Sequence, residues 1–295
     1  MTRYDVSMAV PVYQELDVTR HRGKGPSPWH SATELPRVLL EISTLASLWP
    51  LLGSAPRGDG HPVLVLPGFT AGDESTVVLR RFLSRLGYEP LPWELGQNTG
   101  SYEIQEQLVR RFYTLTQTTG QKVSIIGQSL GGVYARELAH QFAPFVRQII
   151  TLGSPFSSSG PETTNALVGR LFRYMSGMNH DEMRDQMLRF PKRPPPVPCS
   201  AIYSKSDGVV HWSACLEFRG EQSENIEIVG SHSGMAVNPV VFHAVADRLA
   251  QPEGTWRPFR RDQGWRSLVY PTPEQKAPDD QGCGAKQTRE HSCAS

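Results

Sequence analysis

Ser129 lies in a glycine-rich motif whose residue types suit covalent catalysis. The motif reads GQSLG at positions 127–131, after the apolar strand-like run 123–126 and before a helix-like run that begins near Val133. A turn this tight between a strand and a helix strains the serine, and only glycine fits where neighbouring backbone comes close. Free N–H groups and the helix dipole at such a turn favour the negative charge that develops during acyl transfer. We therefore predict that Ser129 is a nucleophile.

The proposed nucleophile needs a base and an acid, because a serine hydroxyl is weakly reactive at neutral pH. With this type of motif, the carboxylate and then the histidine follow the serine along the chain. Asp207 follows the strand-like run 200–203, and His232 follows the run 225–229. Because open α/β sheets place their sites beyond the carboxyl ends of the strands, both side chains are expected at the same edge as Ser129. We predict Asp207 as the acid and His232 as the base.

Each of these partners also has a simpler interpretation. Asp-Gly is a common turn dipeptide, and a lone loop histidine is usually a solvated side chain. Other histidines after the motif fit the role of base less well, because His140 and His243 fall in predicted helices and His211 lies very close to Asp207 in sequence. The weaker candidates for the acid are Glu227 and Asp181.

Acyl transfer also needs two hydrogen-bond donors for the oxyanion. The first is the N–H of Leu130, directly after the nucleophile at the start of the helix. The second is expected in the loop that follows the apolar strand-like run 62–66, which ends in Pro67 and Gly68. We predict the N–H of Phe69 as this donor, whatever its side chain contacts.

The motifs fall in four segments, Leu66–Phe69, Gly127–Gly131, Ser206–Val210 and Ser231–His232. Together they resemble the α/β-hydrolase superfamily, nearest to bacterial lipase-like serine esterases, over roughly residues 60–249. The resemblance implies the same triad and the same two oxyanion-hole residues. The chain departs from the common lipase sequence at Pro67-Gly68, where that sequence has His-Gly.

Strand-like and helix-like runs alternate along the same region. The predicted helices cover 76–86, 102–115 and a segment after Asn238, and the predicted strands cover 62–66, 88–93, 123–126, 148–152, 198–203 and 225–229. This alternation predicts an α/β fold, with a largely parallel sheet flanked by helices. Ser101 is the expected N-cap of the helix 102–115. A chain of 295 residues that is 38% hydrophobic is long enough to bury one large core.

The alternation lapses over residues 156–198, between the nucleophile and the acid. We predict a helical cap or lid insertion there, above the active serine. Its apolar side chains either line an acyl pocket or pack the insertion on itself, and they are Leu167, Leu171, Phe172, Met175, Met178, Met183, Met187 and Leu188. The candidate substrate-pocket residues are Gln128, Phe156, Met175 and His211.

Two extensions flank the predicted hydrolase domain of residues 60–250. Residues 1–59 form an N-terminal extension, and residues 251–295 form a C-terminal tail whose aromatic part folds back and whose end is disordered by composition. The N-terminal extension contains the apolar, helix-like run 37–52, which is shorter than the ~20 apolar residues needed to span a bilayer. We expect this helix to pack against the sheet, with docking on a membrane surface as the less favoured alternative.

Composition excludes several classes of function. The 30 basic and 29 acidic residues leave a net charge of +1, so there is no basic footprint for nucleic acid. The cysteines have no close metal-ligand spacing, so we predict no metal, no cofactor and no disulfide scaffold. Their positions are Cys199, Cys215, Cys283 and Cys293. No secretory hydrophobic segment is visible near the N-terminus, which predicts a cytoplasmic location.

The function expected from these residues is hydrolysis of carboxylic esters through an acyl-enzyme. The apolar residues near the site favour a small-molecule ester with an apolar or lipid-like acyl group. The same catalytic groups also serve thioesterases and acyltransferases. A non-catalytic binding protein that kept the fold is the alternative from a different class.

Overall fold

The computed structural model describes residues 14–16, 25–157, 164–177 and 193–276 of the chain. Its strands are β1 (Gln14–Leu16), β2 (Pro62–Leu66), β3 (Glu89–Leu91), β4 (Val123–Gln128), β5 (Val146–Leu152), β6 (Cys199–Ser204), β7 (Ser223–Ile228) and β8 (Glu274–Lys276). Strands β2 to β7 form a six-stranded sheet in the order β3-β2-β4-β5-β6-β7, and every neighbouring pair is parallel. Strands β1 and β8 pair separately. The predicted α/β class with a parallel sheet is confirmed.

Helices connect the strands and cover both faces of the sheet. They are α1 (Pro28–Ala32), α2 (Glu34–Leu52), α3 (Asp73–Leu86), α4 (Tyr102–Thr119), α5 (Leu130–Gln141), α6 (Ala166–Ser176), α7 (Pro239–Leu249) and α8 (Arg266–Val269). Short 3₁₀ helices cover Ala143–Phe145, Trp212–Cys215 and Ser233–Val237. Three of the described α-helices begin with side-chain caps, because Ser101 accepts a hydrogen bond from Ile104 N–H, Asn165 accepts one from Leu167 N–H and Asn238 accepts one from Val240 N–H.

Strand β2 shows why the central strands are apolar throughout. Val63 and Val65 point to one face of the sheet and join the core formed with α2, α3 and α7. Leu64 and Leu66 point to the other face and join the core formed with α4 and α5. Because helices cover both faces, every side chain of β2 is buried.

Strand β3 is shorter than the predicted strand 88–93, and helix α3 is longer than predicted. Asp73, in the first turn of α3, accepts hydrogen bonds from the N–H groups of Trp93 and Glu94 at 2.8 and 2.9 Å. These N–H groups therefore bind a side chain instead of continuing the strand ladder. This contact joins distant positions, so local sequence patterns do not reveal it.

Helix α2 packs on α7 and the 3₁₀ helix Ser233–Val237, and its buried leucines join the same apolar core as Val63 and Val65 of β2. Its buried apolar residues are Leu45 and Leu52, while Leu35 is 76% exposed. Among the described residues, α2 is the one helix long and apolar enough to cross a membrane. Membrane docking of this helix stays the less favoured alternative.

The aromatic part of the C-terminal tail folds back on the domain, as the sequence predicts. Phe259 and Tyr270 are buried, with ring centroids 4.7 Å apart. The Tyr270 hydroxyl donates to the Val240 carbonyl oxygen at 2.8 Å, which ties the tail to α7. Residues beyond 276 and the predicted domain boundaries are not tested by these contacts.

Phe112 and Tyr113 on α4 provide a test of the core on that face of the sheet. Phe112 is fully buried, whereas Tyr113 is 55% exposed. Phe112→Ala is expected to lower the free energy of unfolding by about 3–5 kcal/mol, because it removes buried apolar surface and leaves a cavity. The matched control Tyr113→Ala is expected to change it by less than about 1 kcal/mol. Urea unfolding measures both, and equal losses would contradict this packing.

Candidate active site

Ser129 occupies a strained turn between β4 and α5. Its backbone angles are φ 52° and ψ −120°, in the positive-φ region that non-glycine residues rarely adopt. Its N–H donates to the Leu152 carbonyl oxygen on the neighbouring strand β5 at 2.8 Å. Helix α5 begins directly after it at Leu130, earlier than the predicted start near Val133. The turn therefore has the geometry that the sequence motif predicts.

The glycines of the motif are required by close backbone contacts. A Cβ atom on Gly131 would lie 2.5 Å from the Leu66 carbonyl oxygen and 2.7 Å from that of Pro67. A Cβ atom on Gly127 would overlap the backbone of Gly131. Residues with side chains therefore cannot occupy these positions unless β2, β4 or α5 moves.

Asp207 and His232 form a buried pair on the loops that follow β6 and β7. His232 Nδ1 lies 2.6 Å from Asp207 Oδ2. The other carboxylate oxygen, Oδ1, accepts hydrogen bonds from the N–H groups of Val209 and Val210 at 2.8 and 2.7 Å. The exposed fractions are only 3% for Asp207 and 6% for His232. With both oxygens bound, the carboxylate has one orientation and fixes the plane of the imidazole.

The environment raises the pKa of His232 above its ordinary value. Burial opposes the positive charge of the imidazolium, but the negative charge of Asp207 and the hydrogen bond to it more than offset this effect. The charge of Glu34 adds to the increase in the pKa. His232 therefore accepts a proton more readily than a buried, unpaired imidazole would.

Gly153 brings this pair close to Ser129. It follows β5, directly after Leu152, whose carbonyl accepts the Ser129 N–H. A Cβ atom on Gly153 would lie 3.1 Å from His232 Nδ1 and 3.2 Å from Asp207 Oδ2, so the glycine leaves the space that the pair needs. Within the described part of the chain, no hydrogen bond joins the Ser129 hydroxyl to His232. Proton transfer therefore needs the closer approach that such contacts make when substrate binds.

The weaker candidates for the acid do not contact His232 within the described residues. Glu227 Oε2 accepts from the Tyr203 hydroxyl at 2.8 Å and from Lys205 Nζ at 3.2 Å. Asp181 lies outside the described residues. The structure therefore pairs the imidazole with the carboxylate that the sequence analysis ranks first.

The loop after β2 reaches Ser129 on its other side. A Cβ atom on Gly68 would lie 3.3 Å from the Ser129 Cβ atom, so the two turns are in contact. Neither the Phe69 N–H nor the Leu130 N–H donates a hydrogen bond to any described residue. Both donors are thus free to bind an oxyanion, as their predicted role requires.

Asn98 is a site residue that sequence reasoning missed. It is fully buried, and its Nδ2 donates to the Pro67 carbonyl oxygen at 3.1 Å. Its own carbonyl oxygen accepts from Thr70 N–H at 2.8 Å, and its N–H donates to the Ala71 carbonyl oxygen at 2.9 Å. Asn98 therefore binds the backbone on both sides of Phe69, at Pro67 and at Thr70. Nothing in its polar, glycine-containing surroundings distinguishes it from a surface loop residue.

Comparison with known proteins supports the same architecture. No protein-family model matches the chain. Aspergillus fumigatus lipase B is similar with a TM-score of 0.55 and 14% sequence identity, over 73% of this chain and 58% of that chain. The Paleococcus ferrophilus monoacylglycerol lipase is similar with a TM-score of 0.50 and 14% identity, over 66% and 97% of the two chains. This chain has the α/β-hydrolase fold.

The candidate pocket residues of this α/β-hydrolase fold lie in different surroundings. Gln128 Nε2 donates to the His232 carbonyl oxygen at 3.2 Å, so it contacts the histidine loop. Phe156 is buried, with the Arg136 guanidinium 4.2 Å from its ring centre. His211 Nδ1 lies 2.8 Å from Ser213 Oγ at the start of a 3₁₀ helix. Their roles in substrate binding stay predictions.

Helix α6 is the described part of the predicted cap insertion. Met175 is half-buried on it, and the ring of Phe172 lies 5.0 Å from that of Phe69 in an edge-to-face arrangement. Leu167 and Leu171 are exposed on the same helix. The remaining predicted lining residues, Met178, Met183, Met187 and Leu188, lie outside the described residues.

A second Ser-His-Asp arrangement lies at the opposite edge of the sheet, and the sequence analysis did not find it. His61 Nδ1 is 2.5 Å from Asp59 Oδ1, and His61 Nε2 is 2.8 Å from Ser124 Oγ. Burial lowers the pKa of His61 below its ordinary value, despite the hydrogen bond that its ring donates to Asp59. Ser124 is fully buried within β4, at the end of the strand away from the usual ligand edge of this fold. No substrate carbonyl can reach it in this conformation.

Metal ligation is not indicated by the residues that the structure describes. None of their His, Cys, Asp and Glu side chains forms a group of three or more that could hold a metal ion. Cys199 and Cys215 are free and buried.

Gly131 and Gly169 provide a matched test of the turn around Ser129. A Cβ atom on Gly169, in α6, meets no atom within 4 Å, whereas one on Gly131 meets the backbone of β2. Gly131→Ala is expected to lower the free energy of unfolding by roughly 1–3 kcal/mol, because close-packed backbone must move. Gly169→Ala is expected to be neutral or to stabilise the helix slightly. Thermal or urea unfolding compares them, and equal tolerance would contradict the described contact.

Proposed function

We propose that the chain is a serine hydrolase that cleaves carboxylic esters through a covalent acyl-enzyme. The observation that carries this proposal is the buried Asp207–His232 pair beside the strained Ser129 turn, at the carboxyl edge of the sheet. The α/β-hydrolase fold and the two unused N–H groups next to Ser129 support it. A carboxylate, an imidazole and a hydroxyl in this order supply a nucleophile, its base and the group that orients the base.

The proposed reaction has two steps. His232 Nε2 takes the proton of the Ser129 hydroxyl as its oxygen attacks the ester carbonyl carbon, and the N–H groups of Phe69 and Leu130 bind the oxyanion. Asp207 holds the Nδ1 proton and stabilises the imidazolium that forms. The imidazolium then protonates the leaving alcohol, and a water molecule activated by His232 releases the carboxylic acid from Ser129.

An apolar or lipid-like acyl group is the substrate class that we propose. The support is the contact of Phe172 on α6 with Phe69 of the oxyanion loop, and the apolar side chains of Leu167 and Leu171 on the same helix. Thioesters and acyl transfer to alcohols use the same groups, so turnover of acyl-CoA and of p-nitrophenyl esters must be compared. Faster turnover of acyl-CoA would assign a thioesterase instead.

Phe172 and Tyr174 test the proposed acyl site with two aromatic residues of one helix. Phe172 contacts Phe69, whereas Tyr174 is 86% exposed. Phe172→Ala is expected to lower kcat/KM for a long-chain p-nitrophenyl ester about ten-fold more than for the acetate, because apolar contact with the chain is lost. Tyr174→Ala is expected to change both substrates alike. Equal losses for both esters in Phe172→Ala would contradict the proposed acyl site.

The two serines that lie near a His-Asp pair, Ser129 and Ser124, allow a sharp test of the nucleophile. A fluorophosphonate probe is expected to label the wild-type protein and Ser124→Ala, but not Ser129→Ala. The physical reason is that Ser129 stands at the open sheet edge beside oxyanion donors, while Ser124 is buried at the opposite, amino end of β4. Gel fluorescence and peptide mass spectrometry measure the label and its position.

Two results of this experiment would contradict the proposal. Labelling that persists in Ser129→Ala would place the reactive group elsewhere. A folded wild-type protein that takes no label and turns over no ester would favour a non-catalytic binding protein with this fold. Circular dichroism of each variant separates loss of the nucleophile from loss of structure.

A further inference from the structure

Helix α2 turns three charged side chains toward the loops that carry Asp207 and His232. Glu34, Arg37 and Glu41 are spaced three and four residues apart, so they lie on one face of the helix. Glu34 and Glu41 are almost completely buried. The helix belongs to the N-terminal extension, far in sequence from both loops.

Glu34 bridges the two loops with a single carboxylate. Its Oε2 atom accepts a hydrogen bond from Gly208 N–H at 3.2 Å, directly after Asp207. Its Oε1 atom accepts one from Ser233 N–H at 2.9 Å, directly after His232. The relative position of the acid and the base is therefore fixed through one side chain.

Glu41 and Arg37 hold the residues on the other side of the same pair. Glu41 Oε1 accepts from Ser231 N–H at 2.7 Å, and Glu41 Oε2 accepts from the Ser231 hydroxyl at 2.5 Å. Arg37 Nη1 donates to the Ser206 carbonyl oxygen at 2.6 Å and to that of Gly230 at 3.3 Å. Each residue adjacent to Asp207 or His232 in the chain is thus bound by a charged side chain of α2.

The orientation of the helix is unusual for one that is held by apolar burial. Glu34 and Glu41 are 8% and 9% exposed, whereas Leu35 and Leu39 are 76% and 66% exposed. An amphipathic helix normally turns its leucines inward, and a buried carboxylate costs free energy unless hydrogen bonds satisfy it. At this end of α2, the inward positions are therefore occupied by groups that bind loop backbone.

We propose that Glu34 and Glu41, with Arg37, are positioning residues of the site. They hold the two loops in the relative position in which the imidazole binds its carboxylate and faces the nucleophile. The inference rests on the proposed function, because it concerns the same triad. The N-terminal extension is then a part of the catalytic machinery, although it contributes no reacting group.

Glu34 also acts on the site through its charge. The charged and titratable groups around His232 include Asp207 beside it, Glu34, Arg37 and Glu41 on α2, and the Cys215 thiol near Asp207. Glu34 contributes to the raised pKa of His232, so removing its charge lowers that pKa. The base works as neutral imidazole and is lost as the pH falls through its pKa. Without the Glu34 charge, this loss moves to a lower pH.

The experiment compares Glu34→Gln and Glu41→Gln with the control Leu45→Ala in the full chain. Leu45 is buried on the same helix, within the apolar core, and its side chain has no polar group that could bind the backbone of the two loops. A p-nitrophenyl ester gives kcat and KM, each normalised to the active sites titrated with the fluorophosphonate probe. The pH profile of kcat/KM gives the pKa of the base in the free enzyme.

Glu34→Gln is expected to lower kcat about ten- to a hundred-fold with little change in KM, because small displacements of catalytic groups are costly. The acid limb of its kcat/KM pH profile is expected to move to lower pH. Glu41→Gln keeps one acceptor oxygen for Ser231, so its loss of kcat is expected to be smaller and its acid limb to stay in place. Leu45→Ala is expected to lower stability while kcat per titrated site and the acid limb stay unchanged.

Three outcomes would overturn the inference. One is a wild-type kcat per site and a wild-type acid limb in Glu34→Gln. Another is an equal loss of kcat in Glu34→Gln and Leu45→Ala without any shift of the limb, which would assign α2 a structural role only. A wild-type protein that takes no probe and turns over no ester overturns both proposals, so the two failures are distinguishable.

Discussion

The candidate site depends on the hydrogen bond between His232 Nδ1 and Asp207 Oδ2. This bond decides which ring nitrogen is left to face Ser129, yet its partners lie on loops that follow two different strands. A parallel sheet brings both loops to one edge, and Gly153 leaves the space for the pair. The contacts from Glu34 then hold the loops to each other. The local sequence therefore places Asp207 and His232 each at the carboxyl edge of the sheet, and contacts between residues distant in sequence bring the two side chains together.

The chain has two places where a serine, a histidine and an aspartate lie near one another, and they differ in hydrogen-bond distances and in access to the serine. Ser124 has the closer contact to a histidine, at 2.8 Å, but it is buried at the amino end of β4 and has no strained turn. Ser129 lacks such a contact in the described structure, but it stands at the open edge with two unused N–H donors beside it. The proposed assignment of Ser129 therefore rests on access and oxyanion donors rather than on a short hydroxyl–imidazole distance.

Much of the candidate site could be predicted because its signals are local. The motif around Ser129 needs only a strand, a tight turn and a helix, and its glycines report close backbone contacts directly. Asn98 and Glu41 could not be predicted in the same way. Asn98 looks like a loop residue, and Glu41 interrupts an apolar helix and binds Ser231, which is 190 positions away. Likewise, β3 ends early because its next N–H groups bind Asp73 on another element. Such contacts depend on the tertiary fold.

The most direct test of the account is a crystal structure of the protein after reaction with a phosphonate ester probe. The account predicts a covalent bond from phosphorus to Ser129 Oγ, with the phosphoryl oxygen about 2.7–3.1 Å from the N–H groups of Phe69 and Leu130. His232 Nε2 would lie within hydrogen-bond distance of Ser129 Oγ while Nδ1 keeps its contact with Asp207. An adduct on any other residue, or a phosphoryl oxygen that points to solvent with His232 turned away, would contradict it.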